Sequence, residues 1–105
     1  MATERIKQLQ QFYDEDPSDP FNLYALALEY MKTDRGRARQ FFETLIQHHA
    51  DYLPVYYQAA QLCADTGDSA RAVQIFENGI ALAKKLNDRK AQRELQSAYD
   101  EMMFD

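Results

Sequence analysis

A chain of 105 residues, 46% hydrophobic and 28% charged, suffices for one domain or a short array of repeats and is too apolar for disorder. Twelve basic against seventeen acidic side chains leave a net charge of −5, which excludes nucleic acid and anionic membrane as main partners, since both need a basic surface. One cysteine, Cys63, forbids an intramolecular disulfide and suits a reducing compartment, so a cytoplasmic setting is expected.

Valine, isoleucine and threonine number only ten, a thin supply for strands, whereas the helix formers alanine, leucine, glutamine and glutamate abound. The predicted class is all-α. The first helix runs from Thr3, as N-cap, to Asp14, with Ile6, Leu9, Phe12 and Tyr13 as its apolar stripe. Prolines in Asp16-Pro17-Ser18-Asp19-Pro20 end it, and Asp19 followed by Pro20 is a favoured start for the next. That second helix reaches Lys32, Thr33-Asp34-Arg35-Gly36 reads as a tight turn, and a third helix continues to His49. The fourth begins at Leu53-Pro54 and stops at Asp65-Thr66-Gly67. Asp68 or Ser69 caps the fifth, which runs to Leu86. Asn87-Asp88 breaks the pattern before a sixth helix carrying Ala91, Leu95, Ala98 and Met102. No linker or low-complexity segment is visible, and Met1 to Gln10 lacks the apolar stretch of a secretory leader. The longest segment without a charge, Tyr52 to Ala64, has 13 residues, too few to span a membrane.

The second helix is apolar on two faces. Leu23, Leu26, Ala27 and Tyr30 form one stripe, and Phe21, Tyr24, Leu28 and Met31 form another. Such a helix is either sandwiched or offers one face to a partner. The first and sixth helices carry narrow stripes and polar outer faces, as the capping elements of a stacked array do.

A period supports the array. Ala38 and Ala72, Phe42 and Phe76, and Ile46 and Ile80 are each 34 residues apart. Leu23, Leu26, Ala27 and Tyr30 precede Tyr56, Ala59, Ala60 and Cys63 by 33, the difference falling in the intervening turn. With these residues the chain resembles the tetratricopeptide repeat family, whose helix-turn-helix unit reads W-x2-L-G-x2-Y…A-x3-F…P. Asp16-Pro17 is similar to the end of a preceding unit. The departures are the absence of Trp, Cys63 for Tyr, Ala50 for the closing Pro of the first copy, and Lys84 for that of the second.

The resemblance implies a right-handed stack of antiparallel helix pairs, a single α-solenoid domain of about six helices. Its parts would be a half-repeat over 1–17, repeats over 20–52 and 53–86, and a capping helix over 87–105 with Lys90 at the Trp position. Leu23, Leu26, Ala27, Tyr30, Ala38, Phe42, Tyr56, Ala60, Cys63, Ala72 and Phe76 would pack the repeats. Alanine at 27, 38, 60 and 72 allows close helix approach.

No catalytic motif is present, and neither a metal nor a cofactor is expected. His48 and His49 diverge by 100° on a helix and read as surface residues. Asp14, Asp16 and Ser18 imitate the start of a calcium loop, but Asp19 and Ala25 stand where its Gly and Glu belong. Cys63 reads as a buried thiol, and Arg35, Arg37 and Arg39 as a solvated run.

By resemblance, the first helix of each unit lines a concave groove that holds a peptide or a partner's helix. The expected groove residues are Phe21, Tyr24, Leu28, Met31 and Lys32, then Tyr57, Gln58, Gln61, Ala64 and Asp65, then Ala91, Gln92, Leu95 and Tyr99. Family members that clamp acidic tails carry Lys and Asn where this chain has Tyr24 and Leu28, so an apolar or amphipathic segment fits better. The expected function is a non-catalytic protein-protein interaction module with a largely apolar groove and a protein or peptide partner. The alternative is a structural homo-oligomer, possible as a homodimer, whose groove is filled by its own assembly; Met102, Met103 and Phe104 offer it a second apolar surface.

Overall fold

Four aspartates decide where four of the helices begin. Asp19 accepts from the Phe21 amide at 2.9 Å, Asp34 from Arg37 at 3.0 Å, Asp68 from Arg71 at 3.2 Å and Asp88 from Ala91 at 3.0 Å. Each carboxylate satisfies an amide that has no partner within its helix. In the computed structural model, which describes residues 2–104, the helices are α1 Ala2–Glu15, α2 Pro20–Tyr30, α3 Arg35–His48, α4 Pro54–Asp65, α5 Ser69–Lys85 and α6 Arg89–Phe104. Met1 and Asp105, the outer ends of the first and last predicted segments, lie outside the described residues. The chain is all-α, with no strand among the described residues.

Helix ends follow the same local chemistry. Gly67 and Asn87 adopt left-handed φ values of 92° and 57°. Around them Asp68 N donates to Cys63 O at 2.8 Å and Asp88 N to Ala83 O at 2.9 Å, the long bond of a Schellman motif. Asp68 and Asp88 thus close one helix and cap the next, which shortens both connections to three residues. Two expected boundaries shift. Thr3 lies inside α1 rather than capping it, and Arg35-Gly36 open α3 rather than belonging to the turn, because the Asp34 carboxylate is already in place as cap.

The chain divides into two compact units, one ending at Tyr52 and the other beginning at Leu53. In the first, α2 packs against both α1 and α3. Its core is Leu9, Leu23, Leu26, Ala27, Ala38, Phe42 and Leu45. Of the expected α1 stripe only Leu9 is buried; Phe12 is 52% exposed. Asn22 fixes the α1–α2 corner instead, its Nδ2 donating to Phe12 O at 3.3 Å and Asp16 O at 3.1 Å.

In the second unit α5 packs against α4 and α6 as antiparallel neighbours across short connections. Tyr56, Ala59, Ala60, Leu62, Cys63, Ala72, Ile75, Phe76 and Ala83 are buried between them. A Cβ at Gly79 would sit 2.8 Å from Tyr56 Cβ and 3.3 Å from Leu95 Cδ1, so only hydrogen fits there. The equivalent place in the first unit holds Leu45, opposite a register in which Leu23 replaces Tyr56. The second unit thus pairs a glycine with a tyrosine where the first pairs two leucines.

The sixth helix corrects one register. Leu95 and Ala98 are its buried residues, and they stand 35 residues beyond Ala60 and Cys63. Ala91, not Lys90, therefore occupies the Trp position. The cause lies upstream: α5 has 17 residues against 14 in α3, and it closes on Asn87 instead of a proline turn.

Candidate functional site

In the first unit the second stripe of α2 splits into used and unused residues. Phe21, directly after Pro20, is 59% exposed. Tyr24 is half-buried, its ring 6.4 Å from the buried Phe42 and edge-on to Tyr52 at 5.5 Å. Although expected in the groove, it therefore packs within its own unit, because an aromatic beside Phe42 gains from ring contact. Leu28 and Met31 are half-buried, and Lys32 is engaged with Glu29 at 3.1 Å. Burial, and then the nearby Asp19 charge, raise the Tyr52 phenol above its ordinary value. Tyr30 faces Phe41 at 5.6 Å and carries the Arg37 guanidinium 5.5 Å over its ring. The Arg37 guanidinium is pushed further up by its hydrogen bond to the Tyr30 hydroxyl.

The second unit holds an open groove between α4 and α6. Gln61, Ala64 and Asp65 form one wall and Ala98, Glu101 and Met102 the other, around a volume of about 390 Å³. A shallower hollow of about 240 Å³, lined by Tyr57, Glu94, Ser97, Ala98 and Glu101, shares Ala98 and Glu101 with it. Tyr57 is 39% exposed at this end. Gln61 Nε2 donates to Asp65 Oδ1 at 3.0 Å, one turn along α4. Gln58 is half-buried and lines neither hollow.

Three expectations about this face are corrected. Tyr99 does not join Tyr57; its ring meets Phe76 edge-on at 6.1 Å and 81°, and it lines a separate hollow with Glu77, Ile80, Ala81, Lys84 and Gln96 on the α5 side. Leu95 belongs to the core beside Gly79. Nor is the groove largely apolar, since carboxylates stand on both walls. The residues that sequence reasoning missed are Glu94, Ser97 and Glu101, spaced by three and four along α6. That row was readable as a helical spacing, but the repeat register assigns the groove to other positions of α6 whether it is anchored at Lys90 or at Ala91.

The remaining candidates are structural. Ser18 Oγ donates to Asp16 Oδ1 at 2.8 Å, which tightens the α1–α2 turn. His48 is the exposed last residue of α3, and the His49 amide donates to Leu45 O at 2.7 Å as its C-cap. Arg39 meets Glu43 at 3.8 Å. Cys63 is buried. Among the described residues no group of three His, Cys, Asp or Glu side chains could hold a metal ion, and no helix is long and apolar enough to cross a membrane.

Two solved structures are similar to the chain. The solution NMR structure of a tetratricopeptide repeat domain protein from Salinibacter ruber is 35% identical over 83% of this chain and 89% of that one, with a TM-score of 0.78. A crystal structure of a tetratricopeptide repeat domain protein from Salinibacter ruber is 34% identical over 81% of this chain and 97% of that one, with a TM-score of 0.76. No protein-family model matches the chain, and no curated protein matches it.

Proposed function

Because the chain belongs to the tetratricopeptide repeat family, we propose that it is a non-catalytic protein-protein interaction module that takes a segment of its partner between α4 and α6. The observation that carries this reading is the open groove itself. Apart from Ala98 at its floor, its walls are side chains that the core does not consume, while the packing residues Tyr56, Ala60, Cys63, Ala72 and Phe76 are buried. Tyr57 stands at the shallow end as an aromatic anchor of the kind that concentrates binding energy. In the first unit Phe21 offers a further exposed ring.

Ala64→Arg tests the reading. Ala64 is half-buried on the groove wall, so a long side chain there fills the groove from within. The expected result is loss of a partner captured from lysate with helicity unchanged by circular dichroism. A folded variant that captures the same partner places binding elsewhere.

A second reading, self-assembly, draws on Phe104, which is 86% exposed beside the exposed Met103. Sedimentation at micromolar concentration decides it: a dimer that Phe104→Ser dissociates supports self-assembly, and a wild-type monomer removes it.

A further inference from the structure

Three carboxylates face the groove, Asp65 from α4 and Glu94 and Glu101 from α6, and neither a lysine nor an arginine lines it. Lys90 and Arg93 stand on the same helix but line neither hollow. Several acids elsewhere are matched: Glu29 by Lys32, Glu43 by Arg39, and the capping aspartates by helix amides. Glu94 and Glu101 have no hydrogen-bonding or ionic partner among the described residues.

The hydrogen-bonding sense of the lining agrees with its charge. Ionised carboxylates only accept. The Gln61 amide nitrogen donates to Asp65, so one of its N–H groups is already used within the wall. Between the carboxylates lie the apolar groups of Ala64, Ala98, Met102 and Tyr57. Three carboxylates around an apolar floor, with the Tyr57 and Ser97 hydroxyls able to serve in either sense, ask for donors around an apolar side chain.

We infer that the partner segment is basic and amphipathic, with lysine or arginine on either side of an apolar residue seated between α4 and α6. This rests on the reading of the groove as a binding surface and names the chemistry of what it binds. Spacing sharpens it. Glu94 and Glu101 are two helical turns apart, about 10 Å along α6. Their cationic counterparts therefore stand seven apart on a helical partner, or three apart on an extended one. The net charge of −5 steers such a segment toward the protein, and the pairing weakens with salt.

The test uses the full chain labelled with nitrogen-15 and three synthetic peptides of about four helical turns each. One carries Lys and Arg seven apart around a central Leu; the others replace both cations by Glu or by Gln. The basic peptide should shift the amides of Gln61, Asp65, Ser97 and Glu101, and its affinity should fall about tenfold between about 50 and about 500 mM salt. Glu94→Gln with Glu101→Gln should weaken it by about tenfold, as two exposed ion pairs warrant. Glu4→Gln with Glu77→Gln removes the same charge away from the groove and should leave affinity unchanged. Equal loss in both double variants reduces the effect to net charge and overturns the inference. So does tighter binding of the Glu or Gln peptide, or a basic peptide that leaves the groove amides unmoved. In those cases a partner still lost by Ala64→Arg keeps the groove as the binding surface and discards only the chemistry assigned to its occupant.

Discussion

Gly79 sets local propensity against packing. Alanine is better than glycine in a helix interior by about 1 kcal/mol. A Cβ there would nevertheless lie 2.8 Å from Tyr56 Cβ, an atom fixed to its own backbone and unable to swing aside. Overpacking of this kind costs about 1–3 kcal/mol, so Gly79→Ala should lower the melting temperature despite its helix preference. A rise would show that α4 and α5 have room to part. Tyr52 makes a second case. Its raised pKa means that folding favours the neutral phenol, so its contribution is complete below the unfolded value near 10 and is lost as pH rises through the folded one. Tyr52→Phe should flatten the fall of melting temperature across that alkaline range; an unchanged slope would remove Tyr52 from the account. Tyr24 and Tyr57 occupy equivalent places in the two repeats but face different tasks. Tyr24 touches Phe42 and Tyr52, whereas Tyr57 is exposed. Tyr24→Ala should therefore cost stability, by about 1–3 kcal/mol, and Tyr57→Ala should cost chiefly binding, with its thermal unfolding close to wild type. Equal thermal losses would contradict the division.

At the scale of the helix, register governs what each face does. Ala72 is fully buried, while Ala81 on the same helix is exposed. Ala72→Leu should destabilise by about 1–3 kcal/mol in chemical denaturation, and Ala81→Leu far less, because only the first adds three carbons to a filled space. Equal effects would invalidate the orientation of α5. The helices themselves were legible because their signals are local: Asp19-Pro20, Asp68 after Gly67, and Asn87-Asp88 each state a stop or a start. The repeat was legible because Ala38 and Ala72, and Phe42 and Phe76, keep their spacing and are all buried. What escaped was the face of α6. Its repeat register depends on where α5 ends, and α5 runs three residues longer than α3 before closing on a left-handed Asn87. The one-residue correction turns α6 by 100° but carries the repeat register from Tyr99 toward Asp100, away from Glu94, Ser97 and Glu101. The groove face of α6 follows from its docking through Leu95 and Ala98 and not from the repeat register. Tyr24 escaped for another reason: contact with Tyr52 depends on a residue 28 positions away, beyond any helical periodicity.

For the molecule as a whole, the family and the architecture leave the choice of partner to a few side chains. The helix pairs supply the frame; Tyr57, Asp65, Glu94 and Glu101 decide what is held. Whether a partner is held between α4 and α6 can be read out by site-specific photo-cross-linking. A benzophenone amino acid placed at Gln61 lies on the groove wall, and one placed at Glu77 lies in the hollow on the α5 side. Position 61 should yield a cross-linked partner and position 77 none. Cross-linking from position 77 alone would contradict it and move the binding surface to the side of α5.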